Sequence, residues 1–330
     1  MISLGIESTA HTFGIGIVEH KNDKTTIISD VRDTYAPKEH GIHPTEARDH
    51  HDSVKEKVLE SALKQANLTL EKIDIICYSK GPGLPPALKV GMEFAKSLAK
   101  KSHKPLVEVN HPIAHIEIGR LYAGCNDPII LYVSGGNTQI IGFAAGKYRV
   151  FGETQDIPIG NAIDTFIREA GLVGSLGGPT LEKKAEKGKK FVELPYVVKG
   201  MDLSFSGIVT SALQKLKKEK LNDVCFSFQE TCYAMLTEVT ERALAHTKKK
   251  ELLLTGGVAA SRRLRSMLDT MCKERGAQFF VCPKEYTGDN GAMIAYAGLL
   301  AKKKNMYVID PEKADFIQRW RIDDVDWFLK

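Results

Sequence analysis

The sequence predicts an α/β protein made of two similar halves, and three observations carry that prediction. Short apolar, β-rich runs alternate with stretches of helical spacing along the chain. A hairpin-led βββαβα order occurs twice, without obvious residue identity between the copies. The length, 330 residues, is about twice that of an ordinary domain. Strands interleaved with helices in this way argue for layered sheets that are at least partly parallel.

In the first half, residues 2–7 and 13–19 read as a hairpin around Ser8-Thr9-Ala10-His11-Thr12, with a third strand at 25–31. Residues 44–67 carry helical spacing through Val54, Val58 and Ala62, and 73–78 form a buried-type strand ending in Gly81-Pro82-Gly83. A helix over 86–100 and a strand over 106–109 then lead to His111. From Pro128 the grammar restarts: a hairpin of 129–133 and 138–143 around Ser134-Gly135-Gly136-Asn137, and a strand at 147–154. Helices near 162–170 and 228–246 follow, then a strand at 251–255, a helix at 259–274, a strand at 279–282 and a last helix at 290–302. The expected division is a first lobe over 1–127 and a second over 128–330, with a Gly- and Lys-rich insertion near 171–202 holding one short helix.

Composition narrows the function classes. Hydrophobic residues make up 43% and charged residues 26%, which excludes collagen, intrinsic disorder and a disulfide miniprotein. A net charge of +5 permits a polyanionic partner without demanding one. The six cysteines (Cys77, Cys125, Cys225, Cys232, Cys272, Cys282) form no CxxC pair and read as reduced, structural thiols. Nothing at the amino terminus looks like a signal peptide, and no apolar run reaches the roughly 18 residues of a membrane helix. The expectation is a soluble, cytoplasmic protein with no membrane partner.

Several residues have the types and spacing for chemistry. His111 and His115, at i and i+4 with Pro112 suited to the first turn, share one helix face within reach of one cation; the same spacing also occurs in packed or surface pairs. The intervening residues contain no HExxH glutamate. Asp289, in Gly288-Asp289-Asn290-Gly291, is either a third ligand or a helix N-cap. Three glycine turns follow strands, at Gly81-Pro82-Gly83, Ser134-Gly135-Gly136-Asn137 and Thr255-Gly256-Gly257-Val258. Such turns let backbone N–H groups approach a phosphate, and none is a P-loop or a dinucleotide GxGxxG. The polar segment 41–51 is either a helix start capped by Thr45 or Asp49, or a grip in which Glu46 and Arg48 hold substrate or partner. Asp202-Leu203-Ser204-Phe205-Ser206-Gly207 alternates as a structural segment does. Lysine clusters at 183–190, 215–220, 248–250 and 302–304 are ordinarily solvated faces, with nucleic-acid contact the second possibility.

Taken together, five segments resemble a known family in their order along the chain. They are Gly5-Ile6-Glu7-Ser8-Thr9-Ala10-His11-Thr12, the His111/His115 pair, Tyr132-Val133-Ser134-Gly135-Gly136-Asn137-Thr138-Gln139, Thr255-Gly256-Gly257-Val258-Ala259-Ala260 and Gly288-Asp289-Asn290. The resemblance is to the universal tRNA threonylcarbamoyl-transfer family, over roughly residues 1–320, and to its archaeal and eukaryotic branch, the catalytic subunit of the KEOPS complex. It implies two RNase H-like lobes of the actin, sugar-kinase and heat-shock-chaperone (ASKHA) type with a nucleotide cleft between them. It implies one divalent cation, iron or zinc, on His111, His115, Tyr132 and Asp289. It also implies an adenine nucleotide moiety held by Tyr132, Val133, Ser134, Gly135 and Gly136 with Asp164, Gly177, Gly178, Glu182 and Ser261. Ser261 stands where the family usually has Asn, and the loop before Gly178 is slightly longer than usual.

The reaction implied is transfer of threonylcarbamoyl from its adenylate to N6 of adenosine 37 in tRNAs reading ANN codons, releasing AMP. Glu7, His11 and Glu46 are the candidates for the base that accepts the amine proton. The partners implied are tRNA, a small atypical protein kinase and a dimerising subunit. Alternatives are an ASKHA small-molecule kinase with Glu7 as base, a metalloprotease, and an ATP-binding regulatory scaffold. Two imidazoles and a tyrosine are poor Mg²⁺ ligands, which weighs against the kinase.

Overall fold

The computed structural model describes residues 1–36, 43–172 and 177–328. Its contacts divide the chain into one unit of Met1–Ile118 with Gly288–Val325, and a second of Gly119–Thr287 with Asp326–Lys330. Each unit is built on its own sheet.

In the first unit, β1 (Ile2–Glu7), β2 (Thr12–Lys21) and β3 (Lys24–Thr34) form an antiparallel meander. The helix α1 (Pro44–Ala66) starts on a proline and ends at Asn67 in the left-handed conformation that asparagine tolerates. Then β4 (Ile75–Gly81) pairs parallel to β1, α2 (Pro85–Ser102) follows, and β5 (Leu106–Asn110) pairs parallel to β4. The helix α3 (His111–Ala123) begins with no intervening loop. The core gathers Ile6, Ile15, Phe13 and Tyr78 of the sheet with Val58 of α1 and Phe94 of α2.

The second unit repeats the order. β6 (Ile129–Val133), β7 (Thr138–Ala144) and β8 (Lys147–Glu153) form its meander, followed by α4 (Ile159–Glu169) and α5 (Gly177–Ala185). The two-residue strands β9 (Val198–Lys199) and β10 (Asp202–Leu203) pair with each other. After α6 (Ser206–Lys215) and α7 (Leu221–Thr247), β11 (Glu251–Thr255) pairs parallel to β6. Last come α8 (Arg262–Glu274) and β12 (Gln278–Val281), the strand parallel to β11. The resulting order, β12-β11-β6-β7-β8, matches β5-β4-β1-β2-β3 strand for strand. The duplication expected from pattern alone is therefore real at the level of topology.

Three expectations change. The helix α9 (Gly291–Lys303) and the strand β13 (Val308–Ile309), which pairs with β5, belong to the first unit and not to a lobe running 128–330. The reason is close packing: a Cβ on Gly5 would lie 2.1 Å from the Ala295 nitrogen, so β1 and α9 meet backbone to backbone. Residues 202–207, alternating as a structural segment does, hold β10 and, from Ser206, the first residues of α6, a helix not expected from the sequence. The helix read over 259–274 is broken at Ser261, whose extended backbone separates a 3₁₀ turn, Gly257–Ala260, from α8. The six cysteines are all buried free thiols, as expected, and burial pushes Cys77 up to about 12. Among the described residues no helix is long and apolar enough to cross a membrane.

Candidate active site

In the first unit the parallel strands β1, β4 and β5 end at Glu7, Gly81 and Asn110. The carboxyl ends of parallel strands are where open α/β sheets bind ligands. The Asn110 side chain accepts from the Ile113 N–H at 3.2 Å and so caps the start of α3. His111 and His115 consequently sit in the first two turns, their rings edge to face with centroids 4.6 Å apart.

Asp289 completes the cluster. Its Oδ1 lies 3.2 Å from His115 Nε2 and 3.5 Å from His111 Nε2. Among the described residues these three alone form a His/Cys/Asp/Glu group whose ligand atoms all lie within 4.8 Å of one another. The cap alternative for Asp289 does not hold, because Asn290 takes that role by accepting from the Met293 N–H at 2.8 Å. Arg32 donates to the Asp289 carbonyl at 3.3 Å, fixing the turn without occupying the carboxylate.

Behind the cluster stands Glu7, fully buried. Its Oε1 accepts from the backbone N–H of Thr9 at 2.7 Å and from the Thr9 hydroxyl, and its Oε2 lies 3.0 Å from His111 Nδ1. Burial pulls the His111 imidazole down, but the Glu7 carboxylate beside it, with Asp289, holds it up at about 9. Burial lowers His115. For Asp289 burial acts upward, and the His115 hydrogen bond with the neighbouring imidazoles outweighs it, leaving the carboxyl well below its usual range.

The donor set fits a transition metal. Two imidazoles and one carboxylate suit zinc or ferrous iron better than magnesium. A carboxylate on the far nitrogen of a ligating histidine is the usual outer support of such a site. Glu7 is therefore bound up in holding His111, a contact across 104 residues that no local pattern reveals.

The other base candidates separate. Glu46, on the exposed first turn of α1, accepts from the Tyr35 hydroxyl, and Arg48 pairs with Asp49 at 2.6 Å. Neither Thr45 nor Asp49 caps α1, whose N-cap is His43; Gly41 and Ile42 lie outside the described residues. His11 has its Nδ1 buried without a hydrogen-bond partner among the described residues, 3.8 Å from Asp289 Oδ2, while 43% of its side chain is exposed.

Of the residues expected around the adenylate, all in the second unit, Tyr132 to Gly136 lie at the end of β6, Asp164 on α4, Gly177, Gly178 and Glu182 on α5, and Ser261 at the start of α8. Tyr132 and Val133 end β6, and the Ser134 hydroxyl accepts from the Gly136 and Asn137 N–H groups at 3.3 and 3.0 Å. The Ser134 carbonyl accepts from the Gly160 N–H at 3.2 Å, joining the turn to α4. The Tyr132 hydroxyl lies 3.5 Å from Asn137 Nδ2. A Cβ on Gly177 would fall 2.0 Å from Asp164 Oδ1, whereas one on Gly178 meets nothing within 4 Å among the described residues. Gly177 is thus packed on Asp164, and Gly178 is the open one of the pair; residues 173–176 lie outside the described residues. Glu182 Oε1 accepts from the Arg262 and Arg263 N–H groups at 3.0 and 3.3 Å. Ser261 caps α8 by accepting from the Leu264 N–H at 3.4 Å, so both side chains already serve the start of that helix.

Two hairpin-led units of matching topology, one with a His/His/Asp cluster at its strand ends, define an ASKHA-type α/β protein. Among solved structures the chain resembles HypF of T. kodakarensis, with a TM-score of 0.63 and 15% identity over 92% of this chain and 48% of that one. It thus spans about half the HypF chain. It also resembles the activator of the 2-hydroxyisocaproyl-CoA dehydratase from Clostridium difficile, with a TM-score of 0.52 and 11% identity over 92% of this chain and 97% of that one. At these identities the likeness is one of fold.

Sequence relatives carry the assignment further. The family model for tRNA N6-adenosine threonylcarbamoyltransferase matches residues 26–296. The proteins of that name from Thermococcus sibiricus and Thermofilum pendens are 53% and 52% identical to this chain, over 99% and 98% of it and 99% and 95% of their own lengths. The chain belongs to the tRNA N6-adenosine threonylcarbamoyltransferase family.

Proposed function

We propose that this chain transfers a threonylcarbamoyl group from threonylcarbamoyl-adenylate to N6 of adenosine 37 in tRNAs reading ANN codons, releasing AMP. The observation that carries this reading is the His111–His115–Asp289 cluster with its Glu7 support, at the strand ends of a family member. The cation, iron or zinc, would be held by His111 Nε2, His115 Nε2 and Asp289 Oδ1, with Tyr132 as the further ligand that the family resemblance implies. When bound there it supplies Lewis acidity toward the carbamoyl oxygen.

The chain's own residues do the rest. Glu7 keeps the His111 Nδ1 proton in place, so that the Nε2 lone pair faces the cluster. N6 forms its bond to the carbamoyl carbon as the bond from that carbon to the phosphate oxygen breaks, and AMP leaves. The amine proton passes to His11, which is the candidate left once Glu7 and Glu46 are engaged elsewhere. The N–H groups of the Ser134–Gly136 turn and Gly178 suit the AMP phosphate and ribose. By family resemblance its partners are a small atypical protein kinase and a dimerising subunit of KEOPS, in the cytoplasm.

The test combines the protein with those partners, threonylcarbamoyl-adenylate and tRNA, and measures the modified nucleoside by mass spectrometry. Modification should require the metal and be lost in His111→Ala together with bound metal. In His11→Asn it should fall by about a hundredfold or more with metal content unchanged. Unmodified tRNA with the metal-loaded wild type, or an active His111→Ala, would refute the assignment.

A further inference from the structure

Two lysine clusters far apart in sequence, 183–190 and 215–220, are brought together on the second unit. The means are specific. A Cβ on Gly188 would lie 2.4 Å from the Phe226 Cβ and 2.7 Å from the Asn222 carbonyl, so the chain passes hard against the first turns of α7. Asp223 Oδ1 accepts from the backbone N–H groups of Lys189 and Lys190 at 2.7 and 3.1 Å, and the Ser227 hydroxyl accepts from Val192 N–H at 2.7 Å. Lys190 Nζ meets both Glu219 oxygens at 2.8 and 2.9 Å.

These contacts also offset much of the nearby negative charge, leaving Glu193 as an exposed carboxylate two residues from Phe191. Asp223 is turned to the backbone, Glu219 is matched by Lys190, and Glu186 pairs with Arg262. Lys187, Lys189, Lys217, Lys218 and Lys220 are left exposed. Beside them Phe191 is 55% exposed, one edge resting against the Phe226 ring with centroids 6.5 Å apart. A large aromatic left half in water within a cluster of cations is what a stacking platform on a phosphate-binding surface requires.

We infer that this face of the second unit, Lys187–Phe191 with Lys217–Lys220, is a docking surface for the backbone and an unpaired base of RNA. The inference rests on tRNA being the substrate and adds where the second unit meets it. Lysines supply the phosphate contacts, which carry affinity and its salt dependence. Phe191 supplies a π face for a splayed base.

The experiment is equilibrium binding of transcribed, unmodified tRNA to the intact protein by fluorescence anisotropy across a salt series. It compares wild type with Lys189→Glu/Lys217→Glu/Lys218→Glu, with Phe191→Ala, and with the control Lys57→Glu/Lys64→Glu on α1. Circular dichroism melts confirm that each variant folds. The triple variant should bind at least tenfold more weakly, and its log–log salt slope should flatten by about 0.7–0.9 per lost contact. Phe191→Ala should lose about tenfold with the slope unchanged. Wild-type affinity and slope in the folded triple variant overturn the inference, as does an equal loss in the α1 control. Retained tRNA binding with loss of an acidic protein partner overturns it too. Absence of transfer activity in the wild type would defeat the functional assignment while leaving this binding measurement readable.

Discussion

Glu7 Oε2 lies 3.0 Å from His111 Nδ1, so a fully buried carboxylate orients the first imidazole of the metal cluster. All three partners of Glu7, namely the Thr9 N–H, the Thr9 hydroxyl and the His111 ring, present donors to it. In Glu7→Gln one of those donors would face an NH₂ group, and the ring would be driven to the other tautomer. Metal affinity should fall by about 10- to 100-fold. A competition titration against a chromophoric chelator measures it. Wild-type affinity would show that His111 orients itself without Glu7.

The metal cluster also depends on packing far from it. Asp289 stands just ahead of α9, and α9 sits against β1 where Gly5 leaves no room for a methyl group: 2.1 Å to the Ala295 nitrogen and 2.4 Å to the Gly291 carbonyl. Gly5→Ala must push helix and strand apart. It should destabilise the protein by about 1–3 kcal/mol, the usual penalty of overpacking, and weaken metal binding although no ligand has changed. Urea denaturation and the same chelator titration check the two effects. A stable variant with weakened metal binding would support the geometric link most directly.

How far the sequence discloses this arrangement depends on the range of each interaction. The hairpins, the parallel strands and the i, i+4 histidines are local patterns, and the periods of strand and helix expose them. The duplicated order was legible for the same reason. The return of α9 to the first sheet was not, because it is set by contacts such as Gly5 with Ala295, which leave no local period. Glu7 looked like a free base because its engagement with His111 spans 104 residues. The Glu182 contact with the first turn of α8 shows only once α5 and α8 are adjacent, whereas the Ser261 cap on Leu264 is local and was masked by reading the helix from Ala259. The helix α6 was hidden by a short alternating run at its start.

A pH dependence of stability follows from His51. Its ring is fully buried on α1 against Phe13, with centroids 5.5 Å apart, and its Nε2 has no hydrogen-bond partner among the described residues. Burial, reinforced by the His50 and His11 charges, lowers it to about 4. Since the folded value lies below the unfolded one, near 6.5, the contribution is complete above pH 6.5 and is lost as pH falls toward 4. The loss should reach at most about 3 kcal/mol. His51→Leu should therefore show a shallower acid limb than wild type in urea midpoints taken between pH 7.5 and 4.5. Parallel limbs would contradict the assignment to His51.

The two adjacent glycines at the start of α5 should respond differently to the same change. At Gly177 a methyl group would collide with the Asp164 carboxylate at 2.0 Å, and at Gly178 it would meet none of the described residues within 4 Å. Gly177→Ala must displace α5 or Asp164 and should cost about 1–3 kcal/mol. Gly178→Ala lies within a helix, where alanine is favoured over glycine by up to about 1 kcal/mol, and should fold at least as well as wild type. Its effect should fall on AMP affinity instead, because a methyl group there would project toward the space proposed for the ribose. Thermal melts and calorimetric titration with AMP distinguish the two. Equal AMP affinity in Gly178→Ala and wild type would move the ribose away from this turn.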